Sequence, residues 1–185
     1  MGKDLEDDRA ARFEALAMPH LDAAYNLARW LTRSDSDAED LVQTAFLRAF
    51  KASDGFRGGD ARAWLLTIVR NTFYTSLRER HRERGDLCFD EELHDDDASV
   101  NAGSAYAVGS DPARISAIRD AGDTVNRALR KMPPAFREVL VMKEMDDLSY
   151  KQIAQIVGIP IGTVMSRLAR ARKQLLALLV DGEGE

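Results

Sequence analysis

The sequence predicts an all-α chain of two small helical domains joined by a flexible acidic linker. Three observations predict this. Apolar residues recur three and four apart through most of the chain, without sustained alternation bounded by turn residues, so helices are expected and strands are not. Charge is segregated: the formal net charge is -5, yet Leu148 to Val180 carries five bases (Lys151, Arg167, Arg170, Arg172 and Lys173) and no acid. Residues 85–112, GDLCFDEELHDDDASVNAGSAYAVGSDP, are acidic and diluted with Gly, Ser, Ala and Asn. Such a stretch buries too little apolar surface to offset the entropy of ordering it. The boundaries read as 10–84 for the first domain, 85–114 for the linker and 115–180 for the second domain.

Composition narrows the class further. With 185 residues and 45% hydrophobic content the chain is long enough to bury real cores. A lone cysteine, Cys88, excludes a disulfide scaffold. The opening MGKDLEDDRAARFEAL is charged from its third residue, and no apolar run is long enough to span a bilayer, so a cytoplasmic protein without membrane insertion is expected.

In the first domain, FEALAMPHLDAAYNLARWLT places Phe13, Leu16, Leu21, Ala24, Leu27 and Leu31 on one side, interrupted near Pro19. Next, SDSDAEDLVQTAFLRAFKA has Ser36 and Glu39 at capping-box spacing ahead of Leu41, Val42, Ala45, Phe46 and Phe50. Its acids lie near the helix start, where the dipole favours them. The glycines of SDGFRGGD break this helix. A third helix runs from about Ala61 with Trp64, Leu65, Ile68, Val69, Thr72 and Leu77 inward and its arginines largely outward. From Arg57 to Arg84 the bases Arg57, Arg62, Arg70, Arg78, Arg80, Arg82 and Arg84 outnumber Asp60, Glu79 and Glu83.

The second domain begins near Ile115. A helix from Asp123 to Arg130 stops before Met132, Pro133 and Pro134, because a residue preceding proline disfavours helical angles. Another runs from Pro134 to the acidic turn Asp146, Asp147. Ser149 and Gln152 form a capping box, Gly158 closes the helix holding Ile153, Ile156 and Val157, and Pro160 suits the first turn of the next. A short helix, a glycine turn and a longer basic helix make a helix-turn-helix.

At about 100° per residue, Ile161, Val164, Leu168, Ala171, Leu175 and Leu178 share one side of the last helix. Thr163, Ser166, Arg170 and Lys173 lie opposite, with Arg167 flanking. A solvated surface would normally intersperse acids among such bases. Their absence, after a helix-turn-helix, points to duplex DNA, with early residues at base edges and later bases near phosphates.

LSYKQIAQIVGIPIGTVMSRLARARKQL resembles region 4 of the extracytoplasmic-function sigma factors, while DAEDLVQTAFLRAF and GFRGGDARAWLLTIVRNTFYTSLRERHR resemble their region 2. The resemblance covers residues 13–84 and about 115–179, in the family's order. It implies that Asp37, Glu39, Asp40, Leu41, Gln43 and Phe46 bind core RNA polymerase. It further implies that Phe56, Arg57, Trp64, Arg70, Asn71, Arg78 and Arg80 act at the minus-10 element of promoter DNA, where a stacking surface and positive charge would hold an extruded base. Thr163, Ser166, Arg167, Arg170 and Lys173 are assigned to the minus-35 duplex. Met165 stands where many relatives carry a base, and Ala169 where many carry a bulkier residue, so the bases read cannot be copied from a relative. An anti-sigma factor is the further partner implied.

The same residues admit blander roles: the acids at 37 to 40 also cap and solvate a helix, Trp64 also suits a core, and the late arginines of the third helix also suit a solvated end. Two other functions fit parts of the chain, a sigma mimic that titrates an anti-sigma factor and a stand-alone helix-turn-helix regulator. The mimic should lack both basic sets, and the regulator leaves the first domain unexplained. His81, Cys88 and His94 match no metal-ligand spacing, no phosphate loop or catalytic constellation occurs, and neither cofactor nor enzymatic activity is expected. The linker acids from Asp86 to Asp97 are expected to compete with DNA for the bases on either side.

Overall fold

The computed structural model describes residues 2–84 and 122–181, and among them the regular structure is helical throughout, with no strand. The linker, at 85–114, and its expected contacts with the flanking bases lie outside the described residues, as do residues 115–121 of the second domain.

α1 spans Gly2–Ala17 and a tight turn at Met18–His20, containing Pro19, hands the chain to α2, Leu21–Thr32. Ala24, Leu27, Ala28, Trp30 and Leu31 of α2 are buried. It ends at Arg33, whose φ of 62° is left-handed, a conformation costly for a residue with a Cβ. The Arg33 guanidinium donates to the Arg130 carbonyl at 3.0 Å, tying this corner to the second module.

α3, Asp35–Ala52, starts earlier than the capping-box spacing suggested. Ser34 is the N-cap: its backbone is extended, at φ -138° and ψ 131°, and its hydroxyl accepts from the Asp37 N–H. By Asp35 the chain is already helical, so Ser36 lies inside the first turn and cannot cap it. α4, Ala61–Arg84, is started by Asp60, whose carboxylate accepts from the Ala63 N–H at 2.9 Å and whose carbonyl accepts from Trp64. Gly58 and Gly59 ahead of it have φ of 91° and 107°, angles that side chains rarely adopt.

The second module opens with α5, residues 122–130. α6, Pro134–Leu140, runs into a wider helical turn at Val141–Met145, closed by the Asp146 N–H donating to the Val141 carbonyl five residues back. α7, Tyr150–Val157, carries the expected capping box of Ser149 and Gln152 and ends at Gly158 with φ 76°. α8 is Ile161–Asp181; the Pro160 carbonyl accepts from Val164, so Pro160 stands just before the helix.

Helices α2, α3 and α4 pack on one another, and α8 packs on α6 and α7. The two groups then pack together, α4 on α7 and α2 on α6, around one continuous core that runs from Leu27, Leu65 and Val69 to Val139, Ile153, Val164 and Leu168. This docking is why the expectation of largely outward arginines on α4 fails at one point. Arg78, Arg80 and Arg82 are exposed, but Arg70 is 6% exposed because α4 is covered by the second module as well as the first. Ile161, placed by its angular position on the docked side of α8, is 47% exposed in the helix's first turn.

Candidate nucleic-acid and polymerase interface

On α3 the predicted polymerase-binding residues divide between surface and core. Asp37, Glu39, Asp40 and Gln43 are exposed. Leu41 is buried, and Phe46 is half-buried, its ring edge-on to Phe13 at 6.2 Å. The four polar residues therefore form an outward face of α3, and the two apolar ones hold the helix in place. Leu47, missed by the sequence reading, is 60% exposed four residues beyond Gln43. An apolar residue one turn from a polar surface position was the available signal. Asp37, Asp40 and Leu41 also line a cleft of about 160 Å³ with Thr72, Phe73 and Arg80 of α4, which brings one proposed minus-10 arginine beside the acidic face.

The minus-10 set centres on the loop before α4. Phe56 packs on Trp64, ring centres 5.0 Å apart, and both are half-buried, so Trp64 serves the core and one wall of the loop together. Arg57, Asn71, Arg78 and Arg80 are exposed. A cavity of about 330 Å³ opens beside Phe56, lined also by Arg9, Arg12, Phe13 and Asp54. Arg9 is committed to structure there: its guanidinium donates to the Phe50 carbonyl at 3.0 Å and pairs with Asp54 at 3.1 Å.

Arg70 faces the other way. It donates from Nε and Nη2 to the two carboxylate oxygens of Glu138, at 2.9 and 3.0 Å, and lies over the Tyr74 ring at 4.3 Å. A bidentate pair of this kind is the strong form of the interaction. Glu138 is 0% exposed. Burial pushes its carboxyl up from the ordinary value, while Arg70 and then Arg167 pull it back down.

Further polar contacts join the modules. Gln152 of α7 donates to Asp60 at 2.6 Å; the Ala63 N–H and then this bond hold the Asp60 carboxyl below its ordinary value. Asp146 accepts from Asn26 at 3.2 Å and pairs with Arg62 at 3.5 Å; burial nonetheless pushes its carboxyl up. Arg33 donates across the same seam to the Arg130 carbonyl.

On α8, Thr163, Ser166, Arg170 and Lys173 are exposed on the side away from buried Val164, Leu168 and Ala171. The Ser166 hydroxyl donates to the Thr163 carbonyl at 3.0 Å. Arg167 is turned toward the module interface, its Nη1 4.0 Å from Glu138 Oε1. Arg172 pairs with Glu144 at 2.6 Å, and Met165 is 53% exposed beside the outward face.

Among the described residues no cluster of three or more His, Cys, Asp or Glu side chains could hold a metal, and no helix is long and apolar enough to cross a membrane. His81 is buried on α4, while Cys88 and His94 lie outside the described residues.

A glycine-hinged helix pair presenting a helix without acids from Ile161 to Val180, docked on a second helical module with its own exposed bases, defines a two-module nucleic-acid-binding protein. Family models for sigma-70 region 2 and sigma-70 region 4 match residues 16–83 and 123–175. The chain is 33% identical over 184 residues to the ECF RNA polymerase sigma factor SigE of Mycolicibacterium smegmatis, covering 98% of this chain and 68% of that one. It is 37% identical over 147 residues to EcfG of Rhodopseudomonas palustris, covering 78% and 73%. Among solved structures, the sigma factor RpoE in complex with the anti-sigma factor NepR from Bartonella quintana superposes with a TM-score of 0.70 at 29% identity, over 91% of this chain and 96% of that one. CnrH in complex with the cytosolic domain of CnrY gives 0.61 at 26% identity, over 93% and 90%. The chain belongs to the sigma-70 family, in its extracytoplasmic-function group, and is a transcription initiation factor.

Proposed function

We propose that this factor binds core RNA polymerase through the exposed face of α3, Asp37, Glu39, Asp40 and Gln43, positioned by Leu41 and Phe46. It opens the minus-10 element with Phe56, Arg57, Trp64, Asn71, Arg78 and Arg80, joined by Arg70 once the modules part. The minus-35 duplex takes α8 in its major groove, with Thr163, Ser166 and Arg170 toward base edges and Arg167 and Lys173 toward phosphates. Region 2 occupies 10–84, the linker 85–114 and region 4 115–180. The protein acts in the cytoplasm, catalyses no step itself, and is held in check by an anti-sigma factor.

The observation that carries this reading is the outward face of α8, exposed and basic in a stretch from Leu148 to Val180 that contains no acid. A surface of this kind gains affinity by releasing counterions from DNA. The test is transcription in vitro from a library of genomic fragments, with core enzyme alone and with this protein added. Discrete start sites that need both components support the reading. Duplex binding that is indifferent to core enzyme, with no transcripts, points to a stand-alone regulator instead, and binding to an anti-sigma factor without either points to a mimic.

A further inference from the structure

The outward residues in the first three turns of α8 divide into two edges. At about 100° per residue, Gly162, Met165 and Ala169 share an arc of about 60°, and Thr163, Ser166 and Arg170 share the neighbouring one. All six are exposed. The second edge is polar. The first has no hydrogen-bonding side chain beyond the weak thioether acceptor of Met165. Arg172, paired with Glu144 at 2.6 Å, stands between this edge and Leu176 in the next turn.

Two features of the apolar edge have no explanation inside the chain. Met165 is 53% exposed, so its long side chain fills no space in the core. A side chain at Gly162 would meet nothing within 4 Å among the described residues, and the φ of Gly162 is not positive. Neither packing nor backbone geometry therefore calls for glycine in a helix that alanine would favour. An apolar arm beside cleared space suits a surface that approaches closely from outside. On the reading given under Proposed function, on which this inference rests, that surface is the major groove, entered by the first turns of the recognition helix.

Each base pair shows the major groove a pattern of donors and acceptors, which a thioether and a methyl group are poorly equipped to tell apart. It shows one apolar feature, the C5-methyl of thymine. We propose that Met165 reads a thymine methyl in the minus-35 element, with Gly162 and Ala169 leaving room for its approach. One position of the element is then selected by apolar contact, beside the positions that Ser166 and Arg170 address by hydrogen bonds.

The probe is a promoter duplex with a randomised minus-35 window, bound by core polymerase together with the full-length parent, and the enriched sequence is carried forward. Each thymine of that sequence, on either strand, is then replaced singly by deoxyuridine, which removes the methyl and leaves the hydrogen-bonding edge unchanged. The parent holoenzyme should lose roughly fourfold in affinity at one thymine, the effect of burying a single methyl. Holoenzyme carrying Met165→Ala should bind the thymine and deoxyuridine duplexes equally at that position. The same is expected of Met165→Gln, which keeps the length and makes the end polar. Replacement on the DNA leaves the protein untouched, so the parent's result stands whether or not a variant folds. Indifference of the parent to deoxyuridine at every thymine, an enriched sequence without thymine, or full discrimination retained by both variants overturns the proposal. Enrichment of no minus-35 sequence at all is a separate failure: it overturns the assignment of α8 to that element, and this inference with it.

Discussion

Arg170 and Arg167 are three residues apart on one helix, yet their surroundings differ completely. Arg170 lies on the outward face, while Arg167 points back at Glu138. Replacing Arg170 by Ala should cost about 1 to 3 kcal/mol in promoter binding and relax preference at one position if it reads a base edge. Affinities measured across all single-base variants of the minus-35 element check this, and a uniform loss over every variant would make Arg170 a phosphate contact. The outward positions Ser166, Arg170 and Lys173 were legible because helical periodicity fixes angles about one axis. The inward turn of Arg167 and the burial of Arg70 were not, because periodicity says nothing of a second body packed from another direction.

At the scale of the helix, caps were legible where the chemistry was unambiguous and obscure where it was crowded. Before α7, Leu148 sets Ser149 apart from Asp146 and Asp147, Gln152 stands at the matching third position, and the box formed as expected. Before α3 the sequence offers Ser34, Asp35, Ser36 and Asp37 in a row, and the choice was made by the left-handed Arg33, which turns the chain so that Ser34 alone is extended. Ser34→Ala should therefore lower stability by about 1 kcal/mol, while Ser36→Ala should change it little. Thermal unfolding of the two variants distinguishes them, and equal losses would contradict the cap. On the same helix, Asp40→Arg with Gln43→Ala should weaken association with core polymerase and leave helicity unchanged, since both side chains are exposed and neither supports the core. Pull-down with core enzyme and circular dichroism supply the two readings, and equal recovery of variant and parent would refute the assignment.

For the whole molecule, the helical class, the order of elements and the helix-turn-helix were all present in local spacing. Docking of one module on the other was not, because its polar contacts pair residues far apart in sequence, such as Arg70 with Glu138 and Asp60 with Gln152. Competition for the basic residues was expected from the acids of the linker. Those acids lie outside the described residues; within them, Glu138 of the second module pairs with Arg70 of the first and lies 4.0 Å from Arg167. A shared core should also make unfolding a joint event. Both tryptophans, Trp30 and Trp64, belong to the first module, whereas far-ultraviolet circular dichroism reports the helices of both. The two signals should give one coincident thermal transition. Two separated midpoints would mean that the modules melt independently.

The double employment of Arg167 also bears on how such a factor can diverge. A substitution there withdraws a cation from the buried Glu138 carboxylate, so any change in promoter affinity arrives coupled to a change in folding stability. Lineages, and engineers building orthogonal factors, have more latitude at Ser166, Arg170 and Lys173, whose side chains face outward, away from that buried acid. Recoding confined to those three positions should leave the thermal midpoint intact.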